Sequence, residues 1–277
     1  MNTRLLHPLG RTILTVAPML LATPAAGRAP PATAPITALR FGAMAEPTGR
    51  TTKNVTILVQ ADTVLRVGTG TAMIPKGATV IDLRRYTAIP GLIDVHTHVT
   101  FVRDKATPLA NGPRSRDSVI AAAATNLRRT LETGVTTVRD LGASNYPDIG
   151  IRDAVNSGAM IGPRLFVAGY GLSKVTTPPV AGQPSLAARG RVRDTMEIKD
   201  AIQAQVDAGA DWIKMYGSTG TYANTTGVQT FTDVEMRVAA ETAHRFKRPI
   251  AIHFLRRFRR TCGAPRWRGI GRASGGI

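Results

Sequence analysis

The chain has 277 residues and a hydrophobic fraction of 43%, so it can hold one large domain or two modest ones with a substantial core. Its single cysteine, Cys262, excludes an internal disulfide and a cysteine-based metal cluster. The net charge of +18 does not predict nucleic-acid binding, because three arginines lie in residues 1–34 and seven in residues 254–277, with no recognisable binding motif.

Residues 1–34 have the pattern of a leader. Arg4 and Arg11 flank an apolar run from Thr12 to Ala26, and small residues lie within it and after it. The run is shorter than the roughly 20 residues of a bilayer span and is typical of a cleavable signal peptide. We therefore expect a secreted or periplasmic protein, with an uncleaved leader as the alternative.

Residues 35–89 have the pattern of a small module of short β-strands. The predicted strands are Asn54–Gln60, Val64–Val67 and Val80–Leu83. Turn-forming residues separate them.

From Pro90 onward, strand and helix patterns alternate. The predicted strands are Gly91–His98, Val135–Arg139, Arg164–Ala168, Asp211–Met215 and Pro249–His253; the predicted helices are Ser115–Glu132, Ile149–Asn156, Thr195–Ala208 and a last one from a capping box at Thr232–Glu235 to about Phe246. The apolar first strand is expected to be buried. Repeated βα units predict a parallel sheet covered by helices, either open and doubly wound or part of a barrel. No Gly-x-Gly-x-x-Gly turn follows the first strand, which argues against dinucleotide binding.

Residues able to bind a metal recur at the carboxyl ends of these strands, where parallel βα folds place their functional groups. His96 and His98 lie two positions apart, so a strand directs both imidazoles to one face. Imidazole is the commonest metal ligand, and the pair predicts half of a metal site; a pair of exposed or hydrogen-bonded histidines is the alternative. His253 is a candidate third imidazole. Asp94 and Asp140 are candidate carboxylates that orient the ligands, although Asp140 could instead cap a turn.

Lys214 lies in an otherwise apolar strand. A buried lysine has a lowered pKa, and its neutral amine can add carbon dioxide to form a carbamate that bridges two cations. The alternatives are a lysine that extends to solvent or pairs with an acid such as Asp140.

Four segments together resemble successive blocks of the amidohydrolase superfamily, in particular its secreted imidazolonepropionase-related and Xaa-Pro dipeptidase-like hydrolases. They are Pro90–His98, Gly134–Asp140, Gly162–Arg164 and Ala210–Lys214. The resemblance covers residues from about 40 to 253. It implies an α/β fold in which residues 90–253 form the N-terminal half of a (β/α)8 TIM-type barrel and residues 35–89 form part of a β-sandwich.

The resemblance also implies a centre of two metal ions, usually Zn2+, with other divalent metals open. His96 and His98 would bind the more buried ion, His253 the second, and carboxylated Lys214 both. The implied reaction is hydrolysis of a C–N bond in a small amide, cyclic amide or dipeptide by metal-activated hydroxide.

The sequence departs from the family after His253, where no His, Asp or Glu occurs. The family's sixth-strand histidine and eighth-strand catalytic aspartate are therefore absent, and no catalytic residue is assigned. We expect a truncated or frameshifted member with impaired activity, which self-associates through an open sheet edge. The alternatives are a non-catalytic protein that retains metal binding, and a protein whose basic tail, residues 254–277, binds nucleic acid or anionic membranes.

Overall fold

The computed structural model describes residues 34–101, 115–178, 186–219, 227–254 and 270–273. The chain divides into two compact units, residues 1–90 and residues 91–277. The predicted leader lies almost entirely outside the described residues, as does most of the arginine-rich tail. No helix in the described ranges is both long and apolar enough to cross a membrane.

The described part of the first unit is one four-stranded sheet. Its strands are β1 (Ile36–Ala45), β2 (Thr51–Gln60), β3 (Thr63–Thr69) and β4 (Thr79–Ala88), in the order β3-β2-β1-β4. β1 pairs antiparallel with β2 and parallel with β4. The three predicted strands are confirmed, and β1 precedes them. A sandwich requires a second sheet facing this one, so that part of the expectation stays a prediction.

The second unit alternates strands and helices as the sequence predicts. Its strands are β5 (Leu92–Thr97), β6 (Val135–Asp140), β7 (Arg164–Val167), β8 (Ser173–Lys174), β9 (Arg191–Val192), β10 (Ile213–Tyr216), β11 (Ile250–His253) and β12 (Ile270–Ala273); its α-helices are α1 (Arg116–Glu132), α2 (Pro147–Asn156), α3 (Thr195–Asp207) and α4 (Asp233–Arg245). The predicted capping box at the start of α4 is confirmed, because the Thr232 side chain accepts the Glu235 amide and Glu235 accepts the Thr232 amide.

The parallel strands form two three-stranded sheets, β5-β6-β7 and β10-β11-β12, and a two-stranded sheet, β8-β9. The amides of Asp211 and Trp212 donate to the Val167 carbonyl, and Leu172 forms a bridge with Met215, so β7 and β10 are close neighbours without a continuous ladder. β12 lies in the arginine-rich tail, where the sequence pattern predicted no strand. Mixed α/β architecture is therefore confirmed, while the closed barrel that these strands would begin stays a prediction.

The expectation of a buried first strand is wrong for β5. Leu92 is 50% exposed and Ile93 is 66% exposed. β5 is the edge of its sheet, with β6 as its one hydrogen-bonded neighbour among the described strands. A run of apolar residues predicts a strand, but its burial depends on what covers it. The predicted self-association through an open edge is untested and stays a prediction.

Two apolar clusters hold the helices against the strands of the second unit. The larger joins α3 and α4 to β10 and β11 and includes Ile198, Ile202, Ile213, Ala239 and Ile250. The smaller joins α1 and α2 to β6 and β7 and includes Leu127, Val138, Ile151, Leu165 and Val167. Each cluster therefore packs one pair of helices against one pair of strands.

Candidate functional site

Three histidines and one lysine meet at the carboxyl ends of β5, β10 and β11. The ring centroids of His96 and His98 are 5.5 Å apart, and those of His96 and His253 are 5.7 Å apart. Lys214 Nζ lies 3.2 Å from His96 Nε2. The four residues predicted as metal ligands are thus brought together from three strands, although 118 positions separate His96 from Lys214.

Lys214 is completely buried. Within the described part of the chain, the six ion pairs include neither Lys214 nor Asp140. The predicted alternatives of an exposed lysine and of a Lys214–Asp140 ion pair are therefore not seen. Burial, followed by the charge of nearby Arg139, lowers the pKa of Lys214 to about 8. A substantial fraction of the amine is consequently neutral near physiological pH.

Two of the imidazoles are biased toward the neutral form. Burial, with Lys214 as the next cause, lowers the pKa of His96 to about 4. Burial also lowers the pKa of His253, again with Lys214 as the next contributor. Neutral imidazole is the form that binds metals. These groups therefore present lone pairs rather than positive charges to the space between them.

His98 is oriented by the turn that follows β6. Its Nδ1 lies 3.2 Å from the Gly142 carbonyl oxygen. Because a carbonyl only accepts, Nδ1 carries the proton of this hydrogen bond and Nε2 keeps its lone pair. The ring also stacks on Phe101, with centroids 4.8 Å apart and planes 9° apart.

The two predicted orienting carboxylates contact the backbone around the histidines. Asp94 Oδ1 accepts the His96 amide at 2.9 Å. Asp140 Oδ1 accepts the Val99 amide at 2.6 Å and the Thr97 hydroxyl at 3.3 Å. Burial raises the pKa of Asp140 to about 8, although the Val99 hydrogen bond opposes the increase. Both carboxyl groups therefore hold the main chain that carries the histidines; an action directly on their rings stays a prediction.

Tyr216 belongs to the same site, and the sequence analysis missed it. It lies two positions after Lys214 on β10, so the two side chains share a face of the strand. Lys214 Nζ is 5.4 Å from the centre of the Tyr216 ring, and the Tyr216 and His253 rings are 6.3 Å apart. Burial raises the pKa of Tyr216, with Asp140 adding to the effect. The same alternation that grouped His96 with His98 would have identified it.

Within the described residues, no three His, Cys, Asp or Glu side chains are arranged closely enough to hold one metal ion. The donor set nevertheless suits a divalent cation. His96 Nδ1 is buried without a hydrogen-bond partner in the described structure, and the Lys214 amine lies against the other nitrogen of the same ring. Nitrogen donors gathered without a compensating acid are the arrangement that a cation would stabilise.

Comparison with known proteins places residues 87–257 on the model of the amidohydrolase family. Among solved structures, the chain is similar to a Xaa-Pro dipeptidase with bound methionine (26% identity, TM-score 0.68) and to an amidohydrolase (27% identity, TM-score 0.65). A prolidase complexed with N-methylphosphonate-L-proline shares the fold at 22% identity and a TM-score of 0.63. Each match covers 79% of this chain and 56% of the other. No curated protein matches the chain.

Proposed function

Because the chain belongs to the amidohydrolase family, we propose that it is a metal-dependent hydrolase that cleaves C–N bonds of small amides, cyclic amides or dipeptides. The proposal includes the architecture that such an enzyme uses. In it, β5, β6, β7, β10 and β11 are the first five strands of a (β/α)8 barrel, and the sheet β1–β4 is part of a β-sandwich. The parallel pairing of the strands supports the first assignment.

The observation that carries the proposal is the contact of Lys214 with His96, two nitrogen groups whose pKa values are both lowered. His96 and His98 would hold one divalent ion and His253 a second, with Lys214 between them. Zinc is the ion that best suits imidazole-rich sites of this kind. When bound, it supplies Lewis acidity toward a carbonyl oxygen and lowers the pKa of water.

For Lys214, we propose modification by carbon dioxide. The lone pair of the neutral amine forms the N–C bond, and the nitrogen releases one proton to solvent, which leaves a carbamate anion in place of the neutral amine. The pKa of about 8 supports this step, because an unprotonated amine is required. The carbamate would provide two oxygen ligands at a position that otherwise offers one nitrogen.

The remaining residues of the site hold the ligands in place. The Gly142 carbonyl fixes the tautomer of His98, and the Asp140 carboxyl fixes the backbone that follows it. Asp94 does the same for His96 through its amide. Removing such contacts around a metal site commonly lowers metal affinity or activity about 10–100-fold.

Dipeptides and N-acyl amino acids are the substrates we propose first. The support is that one structural relative is a Xaa-Pro dipeptidase with methionine in its active site and another, of which only the fold is shared, binds a proline phosphonate. We further propose that the 277-residue polypeptide hydrolyses them weakly, because its residues 254–277 contain no His, Asp or Glu that could act as a further ligand or general base. The pattern of residues 1–34 supports export from the cytoplasm.

The proposal is tested with the purified 277-residue chain after removal of metal by chelation. Zinc binding is measured by titration calorimetry for the wild type, His96→Ala, Lys214→Ala and His253→Ala. His244→Ala is the matched control, since His244 is an exposed histidine on α4. We expect each of the three site variants to lose at least tenfold in zinc affinity while the control matches the wild type. Equal affinity in all variants would contradict the proposal.

Hydrolysis is measured in parallel on a panel of dipeptides and N-acyl amino acids. We expect slow, zinc-dependent release of the free amino acid, abolished in Lys214→Ala and retained in His244→Ala. Zinc binding without any release would support the alternative of a non-catalytic metal-binding protein. Binding of DNA that weakens with salt would instead support the basic-tail alternative.

A further inference from the structure

β5 contains a bulge that includes His96, the first histidine of the pair. Its residues Asp94 and Thr97 pair with Val138 and Asp140 of β6, so β5 advances three positions while β6 advances two. An extra residue in one strand interrupts the ladder, bends the strand and redirects its side chains, and bulges are frequent next to active sites. Here the interruption falls on Val95 and His96, and the direction of the His96 ring therefore depends on what holds the bulge.

Arg139 contacts the bulge from the neighbouring strand β6, whereas Asp94 contacts it from within β5. Arg139 Nε donates to the Val95 carbonyl at 2.7 Å. The hydrogen bond satisfies a backbone acceptor that lies in the interrupted part of the ladder. Because an arginine donor carries positive charge, this hydrogen bond is stronger than one between neutral groups.

The same guanidinium group reaches Trp212, the residue that immediately precedes β10. Arg139 Cζ lies 4.3 Å from the centre of the Trp212 ring, within the range of a cation–π contact. Trp212 packs against buried Leu141, Ala168 and Ala251, so the surface on which Arg139 rests is itself fixed. Trp212 and Lys214 are two positions apart on the chain, and the position of one constrains the other.

Arg139 thus connects β5 to β10, which belong to different sheets. It is nearly buried, and none of the ion pairs among the described residues includes it. A buried arginine without a carboxylate partner is costly. That cost argues for a role beyond stability, and the two contacts indicate which role.

We propose that Arg139 is a positioning residue: by holding the Val95–His96 bulge of β5 against Trp212 beside β10, it sets the contact between His96 and Lys214. The inference rests on the proposed function for its purpose, which is metal binding by His96 and Lys214. The contacts of Arg139 with Val95 and Trp212 do not depend on a bound metal. Arg139 itself touches neither substrate nor metal in this account.

The test compares Arg139→Met with Arg152→Met in the full chain. Arg152 is a suitable control because it is also largely buried and donates to a carbonyl, that of Gly209, and to Asp211, rather than to β5. Crystal structures of the metal-free variants report the distance from Lys214 Nζ to His96 Nε2, and calorimetry reports zinc affinity. Thermal unfolding shows whether the two substitutions destabilise the protein to a similar extent.

We expect Arg139→Met to lengthen the 3.2 Å contact beyond hydrogen-bonding distance and to weaken zinc binding about 10–100-fold, whereas Arg152→Met changes neither. Arg139→Lys should not restore the contact, because a lysine ammonium lacks the planar group that donates and stacks at once. If Arg139→Met does not fold, Trp212→Leu removes the other end of the connection and should lengthen the same contact.

An unchanged contact in Arg139→Met, or in Trp212→Leu when that variant replaces it, would overturn the inference. So would zinc affinity in Arg139→Met equal to that in Arg152→Met. If the wild type takes up no zinc, the proposed function fails, while the crystallographic comparison still decides the role of Arg139.

Discussion

Lys214 Nζ and His96 Nε2 lie 3.2 Å apart, so a fully buried amine is partnered by an imidazole instead of by a carboxylate. Burial lowers the pKa values of both groups, and the charge of Lys214 lowers that of His96 further. A fold that only needed stability would place an apolar side chain at position 214. The pair therefore indicates a functional constraint on this position.

Replacing Lys214 by Met is expected to stabilise the metal-free protein while it weakens metal binding. Methionine has a similar length and removes the cost of burying an amine, so we expect the free energy of unfolding at pH 7 to rise by about 1–4 kcal/mol. Chemical denaturation in the presence of a chelator measures the gain, and calorimetry measures the loss of zinc affinity. A variant that is less stable and binds zinc as the wild type does would show that Lys214 is a structural residue.

The pH dependence of stability should reveal Asp140. Its pKa is about 8 in the folded protein and 3.8 ordinarily, so between these values the folded state keeps a proton that the unfolded state releases. The free energy of unfolding contributed by this group therefore falls as the pH rises from about 4 to about 8. The slope is at most about 1.4 kcal/mol per pH unit.

His96 has the opposite effect below pH 6.5. Its pKa is lowered to about 4, so between about 4 and 6.5 the unfolded state holds the extra proton and stability rises with pH. In the wild type, the His96 contribution to stability would therefore mask the opposite contribution of Asp140 in this pH range. Asp140→Asn removes it, and we expect this variant, in chelator, to become steadily more stable relative to the wild type between pH 4 and 8. A difference that does not vary with pH would be inconsistent with a buried, protonated Asp140.

A methyl group at position 142 should disturb the site directly. Gly142 has a φ of +143°, and a Cβ there would lie 3.1 Å from Tyr216 Oη and 3.3 Å from His98 Cε1. We expect Gly142→Ala to cost about 1–3 kcal/mol of stability and to lower zinc affinity by displacing His98. Denaturation and calorimetry measure the two effects.

Gly150→Ala is the matched control for that substitution. Gly150 lies within α2, and a Cβ there would meet no atom within 4 Å. Because alanine favours helix more than glycine does, we expect a gain of about 0.5–1 kcal/mol and unchanged zinc affinity. Similar losses of zinc affinity in both variants would mean that the tight space around Gly142 is not what orients His98.

The sequence was sufficient to predict α1 to α4, five strands of the second unit and the meeting of His96, His98, Lys214 and His253, but not β8, β9 and β12. The correct predictions follow from rules that operate locally: apolar periodicity, capping residues and the placement of functional groups at strand ends. The capping box of α4 shows how well such a rule performs, since Thr232 and Glu235 make both predicted hydrogen bonds.

What the sequence could not predict depends on contacts between distant segments. The bulge at Val95–His96 arises because β5 advances three positions where β6 advances two. Strict alternation predicts that Asp94 and the histidines point to the same face of the strand, but alternation does not extend across a bulge. The exposure of Ile93 depends on the absence of a described neighbour beyond the edge of the sheet. The role proposed for Arg139 requires its contact with Trp212, which precedes β10. No pattern in the sequence links these two residues.

The most direct test of the central claim is the anomalous scattering of zinc in crystals of the full chain grown with the metal. The account predicts peaks about 2.0–2.1 Å from imidazole nitrogens of His96, His98 and His253, with density for a carbamate on Lys214. Anomalous peaks confined to exposed residues such as His244, with His96 and Lys214 still in direct contact, would contradict it.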